Sequence, residues 1–180
     1  IHGSEYLKGI NYLDNKGSAQ CKSSIMFAAL NASGTTSIKA KKSRNHSELL
    51  FKYLNIPIKI KKTQKYDFID IKRPKKIKAF NYKIPGDISS SAFFMALTIL
   101  TDNSELLIKD INVNPSRSGI ITILKKMGAK ILLKNLKNYR GERISDILIQ
   151  SSKNLKAINC PAGLNSSAID ELAQESVIYR

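Results

Sequence analysis

Three short stretches concentrate the residues able to do chemistry. The first, "KGSAQCKSS" (Lys16–Ser24), sets a glycine, serines, a glutamine, lysines and a cysteine just ahead of the apolar run "IMFAAL". Gly17 permits a tight backbone approach, and Ser18 is a favoured helix N-cap. A helix beginning there turns its first N–H groups outward together with the positive end of its dipole, a geometry that binds phosphate or carboxylate. Gln20 donates and accepts hydrogen bonds at once, which suits a ligand carrying both hydroxyl and anionic groups. Lys22 adds charge there or points to solvent. On spacing alone, a capped helix without a ligand is the simpler reading. A helix start also lowers a thiol pKa, so Cys21 invites comparison with nucleophilic cysteines. Such a cysteine needs a base, however, and the only histidines are His2 and His46. The expectation is a buried, inert Cys21 on the core face of the helix.

The second stretch, "KKSRNHSE" (Lys41–Glu48), offers the same logic: Ser43 or Asn45 caps a helix, and Arg44 brings a planar fork matched to phosphate or carboxylate. A matching "NPSRSG" (Asn114–Gly119) later in the chain allows that this arginine position is structural. The third, "SSAIDELAQ" (Ser166–Gln174), holds Asp170 and Glu171 side by side. Neighbours on a helix face different ways, so they are not an acid/base pair, and locally they complement a helix N-terminus.

The elements that must position these residues form an internal repeat. From Gly17 a helix is expected through about Ala32, then a turn and strand in "GTTSIKA". A capped helix follows in "SRNHSELLFKYLNI" (Ser43–Ile56), and then two lysine/isoleucine strands near 56–62 and 66–72. The second half repeats the order. Gly86, 69 positions after Gly17, opens the helix "GDISSSAFFMALTIL"; "SELLIKDI" is a strand, "SRSGIITILKKMGA" (Ser116–Ala129) a helix, and "KILLKNL" and "RISDILIQ" two strands. The unit is strand/helix/strand/helix/strand/strand, which requires crossover helices and hence α/β or α+β layering. A third copy is expected to begin after "NCPAG". "KIPGD" (Lys83–Asp87) combines Pro with Gly and marks the divide between units.

The 180 residues carry a net charge of +16 and 42% hydrophobic residues, enough for one or two cored domains. No apolar run approaches the length of a membrane span; "AFFMALTIL" is among the longest. No charged-then-apolar leader opens the chain, which leads to the expectation of a cytoplasmic protein, and the opening "IHGSEYLKGINYL" reads as the interior of a longer one. Cys21 and Cys160 fit no metal spacing and are read as reduced thiols. Basic residues alternate with apolar ones through "IPIKIKKTQKYDFIDIKRPKKIK", which puts lysines on the wet face of strands whose isoleucines meet a core. The charge is therefore read as a solvated surface, with attraction of small anions second and nucleic-acid binding third, for want of a basic helix or stacking platform.

Taken in order, "LKGINYL", "GSAQCKSSIMFAAL", "SRNHSELL", "IPGDISSSAFF", "VNPSRSGIITILKKMGA" and "IDEL" resemble the middle of the 5-enolpyruvylshikimate-3-phosphate synthase family, from about residue 3 to about residue 172. The Ser-Ala-Gln form is similar to the glyphosate-tolerant class of that family. The resemblance implies two domains of three βαβαββ units each, in an inverted α/β barrel-like architecture that is incomplete here. Residues 1–83 would be the C-terminal part of the first domain, and 84–180 part of the second. It implies transfer of the enolpyruvyl group of phosphoenolpyruvate to the 5-hydroxyl of shikimate 3-phosphate with release of phosphate, in a cleft between domains. No cofactor, metal, nucleic acid or membrane would be involved, and the parent would be a cytoplasmic monomer. Ser18, Ala19 and Gln20 match the loop holding shikimate 3-phosphate, with Gln20 also near phosphoenolpyruvate. Arg44 matches a contact to the shikimate phosphate, and Asp170 the aspartate that binds the shikimate ring and accepts a proton. Departures are the polar "AQESVIYR" after "IDEL" and the absence of the family's other lysine and arginine segments, so this chain alone is expected to be inactive. The related UDP-N-acetylglucosamine enolpyruvyl transferases use a loop cysteine, and Cys160 in "NCPAG" does not sit in their motif.

Overall fold

A computed structural model describes residues 6–168. The chain forms two compact units, Ile1–Asn81 and Tyr82–Arg180. In the first, the elements run β1 (Asn11–Asp14), α1 (Ala19–Ala29), β2 (Thr35–Lys41), α2 (His46–Tyr53), β3 (Ile58–Lys62) and β4 (Tyr66–Lys72). The sheet order is β1-β2-β4-β3. Only β1 and β2 are parallel, and α1 is the crossover that parallel neighbours require. The period of two in the sequence is realised directly. Ile38 and Ala40 of β2, with Ile69 and Ile71 of β4, turn to one face and pack with Met26, Ala29 and Phe51. Burying each such isoleucine contributes about 1.5–3 kcal/mol. Lys39, Lys41, Lys59, Lys61 and Lys72 fall on exposed positions, as the alternation predicts.

The second unit holds α3 (Ile88–Leu100), β5 (Glu105–Asn112), α4 (Gly119–Lys126), β6 (Lys130–Tyr139) and β7 (Glu142–Gln150), followed by a 3-10 turn (Ala162–Leu164) and α5 (Asn165–Ala168). Its sheet order, β5-β7-β6, repeats β2-β4-β3. The repeat also predicts a leading strand before α3. Among the described residues this reduces to a single parallel bridge, Gly86 with Ile111. Gly86 carries both bonds of that bridge, donating to the Asp110 carbonyl at 2.8 Å and accepting from Asn112 N at 3.0 Å. The core gathers Ile88, Met95, Ile99, Ile123, Leu124 and Ile147 among others.

Both second helices stop in the same way. After Leu54, the N–H of Ile56 reaches Phe51 O at 2.9 Å and that of Asn55 reaches Lys52 O; after Met127, the N–H of Ala129 reaches Leu124 O at 2.9 Å and that of Gly128 reaches Lys125 O. These are Schellman caps, with Asn55 (φ 54°) and Gly128 (φ 101°) in the left-handed conformation. Such a conformation costs an ordinary L-residue roughly 1–2 kcal/mol. Gly128→Ala is therefore expected to lower stability by about that amount in urea unfolding, whereas Asn55→Gly should leave it unchanged or raise it slightly.

Candidate functional site

The start of α1 is built from its loop upward. Asp14, at the end of β1 and buried, accepts the N–H groups of Lys16 (2.9 Å) and Gly17 (3.0 Å) on Oδ1, which fixes the turn. Gly17 then takes φ 77°, and its α-carbon faces Lys41 and Lys42 at the end of β2. Ser18 is the N-cap, as the sequence predicts, and its Oγ accepts from Cys21 N at 3.2 Å. The first intrahelical bond is Lys22 N to Ser18 O, so the Ala19 and Gln20 N–H groups precede any helical acceptor. The Ser18 hydroxyl accepts in the cap and keeps its hydrogen to donate. No acidic residue lies in the first turn of α1. The methyl side chain of Ala19 adds no bulk over these donors, and Gln20 is exposed.

The next two residues reverse the expectation drawn from their types. Cys21 is exposed and does not pack in the core. Lys22 is the buried one, with no solvent exposure, and it neither points to solvent nor adds free charge. Helical periodicity explains the exchange: Lys22 lies four positions before Met26 and seven before Ala29, and these three are the buried stripe of α1. Its Nζ pairs with Glu48 Oε1 at 2.6 Å and donates to the Arg44 backbone carbonyl at 2.8 Å. Glu48 is 4% exposed and sits in the first turn of α2, three residues before buried Phe51. A second tie, Ser23 Oγ to Ser47 Oγ at 2.7 Å, runs alongside. The starts of α1 and α2 are thus joined, and the backbone of Arg44 is held from the α1 side. Asn45 rather than Ser43 occupies the α2 N-cap, without a side-chain bond to the first turn. Lys22 and Glu48 were missed as site-building residues because lysine and glutamate read as surface; the stripe spacing was the available signal.

The second unit supplies an internal comparison. Asp87 caps α3 at the position 69 residues after Ser18. Its Oδ2 accepts from Ser90 N (2.9 Å) and Ser90 Oγ (3.0 Å), and its Oδ1 accepts from Arg117 Nη2 at 2.8 Å. Arg117 also donates to Ser89 Oγ at 2.9 Å. The arginine at the second helix is therefore structural in this copy, and a carboxylate from the chain itself occupies the helix start. Partial burial pushes the Asp87 pKa up, but the Ser90 hydrogen bonds and the Arg117 charge outweigh it and hold the carboxyl below its ordinary 3.8. A depressed folded-state pKa means stability present above the unfolded value and lost as pH falls through the folded one. Asp87→Ala should cost about 1 kcal/mol at pH 7, as an N-cap does, and in acid unfolding the difference from wild type should begin to shrink below about pH 4 and disappear only once the pH has fallen through the lowered folded-state pKa.

Asp170, the sequence's candidate proton acceptor, lies outside the described residues. Among the described residues no group of three His, Cys, Asp or Glu side chains is arranged to hold a metal ion, and no helix is long and apolar enough to cross a membrane.

Comparison with known proteins agrees with this geometry. The family model for EPSP synthase (3-phosphoshikimate 1-carboxyvinyltransferase) matches residues 1–163. A 3-phosphoshikimate 1-carboxyvinyltransferase of Endomicrobium trichonymphae is 40% identical over 173 residues, 96% of this chain and 39% of the relative. One from Staphylococcus aureus is 42% identical over 170 residues, 92% of this chain and 38% of the relative. A solved EPSP synthase from Acinetobacter baumannii superposes with a TM-score of 0.81 at 37% identity, covering 95% of this chain and 38% of that one. The chain thus spans about 39% of the length of the curated relatives it matches. With the repeated sheet order, the capped Ser-Ala-Gln helix and a family match over most of its length, the chain belongs to the EPSP synthase family.

Proposed function

We propose that the full-length protein transfers the enolpyruvyl group of phosphoenolpyruvate to the 5-hydroxyl of shikimate 3-phosphate, releasing phosphate, and that this chain supplies part of the shikimate 3-phosphate site. The observation that carries the reading is the start of α1: the Ala19 and Gln20 N–H groups and the Ser18 hydroxyl converge there with no acid in the first turn. Ser18, Ala19 and Gln20 would hold shikimate 3-phosphate, with the Gln20 amide also reaching phosphoenolpyruvate. Arg44 would clamp the shikimate phosphate, and Asp170 would bind the ring and accept the hydroxyl proton. Both substrates are anions, so helix dipoles and basic groups must dominate their surroundings. Residues 1–83 would complete a first domain and 84–180 begin a second, in a monomeric, cytoplasmic parent. This chain alone would be inactive.

The test is phosphate release by the full-length protein. Phosphoenolpyruvate should be consumed only when shikimate 3-phosphate is present; release driven by UDP-N-acetylglucosamine instead would sink the reading. Arg44→Ala should weaken shikimate 3-phosphate binding by roughly 10-fold or more in titration calorimetry, the range for a lost hydrogen bond to a charged group.

A further inference from the structure

We propose that Lys22 and Glu48 are positioning residues for the anion site: their buried pair sets where Arg44 stands relative to the α1 N-terminus. The proposal rests on the reading of Ser18–Gln20 and Arg44 given above, and adds to it residues that touch no substrate.

Three observations converge. Lys22 has no solvent exposure and is four residues beyond the N-cap, so its backbone N–H closes the first turn on Ser18 O at 3.0 Å while its side chain crosses to α2. The Nζ divides its donors between Glu48 Oε1 and the carbonyl of Arg44, the residue whose side chain is proposed to meet the phosphate. Glu48 in turn has a second oxygen, Oε2, that is buried and without a hydrogen-bond partner. A carboxylate kept under-satisfied beneath the surface is costly to hold, and packing alone does not require it. A leucine or methionine pair would fill the same space at little or no loss. What an apolar pair cannot supply is the bond to a backbone carbonyl, and that bond fixes the residue in front of α2 to the first turn of α1. The charges also balance. Lys22 is neutralised internally, so the pair orients Arg44 without presenting a carboxylate to an incoming anion.

The experiment uses the full-length protein and shikimate 3-phosphate, measured by titration calorimetry with thermal unfolding alongside. The variants are Lys22→Met/Glu48→Leu, Arg44→Ala, and the three changes combined. The apolar pair should keep the unfolding temperature of the wild type, yet raise the dissociation constant roughly 10-fold to 100-fold, the scale of an ångström-level misplacement. In the Arg44→Ala background the same two changes should have no further effect, because there is no longer a side chain to position. If the apolar pair binds like the wild type, or weakens binding equally with and without Arg44, the positioning role is wrong while the site reading stands. If the wild type does not bind shikimate 3-phosphate, or Arg44→Ala binds normally, the site reading fails and this proposal with it. Should the apolar pair not fold, Glu48→Gln replaces it in the same cycle. That variant keeps the shape but removes the charge that holds Lys22 in place, so binding should weaken with Arg44 present and be unaffected with Arg44 absent; any other pattern overturns the proposal.

Discussion

Asp170→Asn in the full-length protein should lower kcat by roughly 10²–10⁴-fold, the contribution of a positioned general base, and change shikimate 3-phosphate binding far less. The reason is the chemistry proposed for the 5-hydroxyl. An alcohol oxygen forms a bond to carbon only as its proton leaves, and at neutral pH that proton needs an acceptor within hydrogen-bond reach. Asparagine keeps the volume and can still bond to the ring hydroxyls, but its amide oxygen has negligible basicity. The interaction lost is therefore one realised in the transition state, which moves kcat and kcat/KM together and leaves KM nearly constant. Steady-state phosphate release over a range of shikimate 3-phosphate concentrations separates the two. A large rise in KM with kcat preserved would make Asp170 a binding residue only.

The largest stability effect is expected at Lys22. Lys22→Met leaves Glu48, 4% exposed, as a buried carboxylate with one oxygen already unpartnered and the other now stripped of its counter-charge. Removing one member of a buried pair costs about 3–5 kcal/mol, a large part of the 5–15 kcal/mol that holds a typical domain together. Urea unfolding should show the midpoint of the first unit falling sharply, with recovery when Glu48→Leu is added. A single change that costs less than about 1 kcal/mol would mean that the carboxylate finds water or a proton, and that the site beneath α1 is less closed than its burial implies.

Most of the architecture was legible because two periodicities rule it. Strands with isoleucine every second position, as in Ile58–Lys62 and Tyr66–Lys72, leave one choice of buried face, and the structure takes it. The helices read from Ser43 and from Ser116 occupy the same place in the repeated unit, and both prove to end in C-caps of the same type. Ser18 was legible as a cap for the same reason: local chemistry decides it. The failures were tertiary. Cys21 and Lys22 were sorted by residue type, hydrophobe inside and cation outside, when the stripe running through Met26 and Ala29 assigns them the other way. A partner 26 residues away makes a buried lysine tolerable, and nothing local to α1 announces it. The leading strand that the repeat predicts for the second unit reduces to the single bridge at Gly86, and nothing in the residue types before it announces that.

The two helix starts also differ in competition. A carboxylate tethered at the cap is present at an effective concentration on the order of millimolar or above, however dilute the surrounding solution. Asp87 thus occupies the start of its own helix through Ser90 and Arg117, and a free anion there would have to compete with it. Ser18 imposes no such occupancy, because its hydroxyl is neutral. An anion approaching the start of α3 meets that tethered competitor, whereas one approaching the start of α1 meets none at the cap.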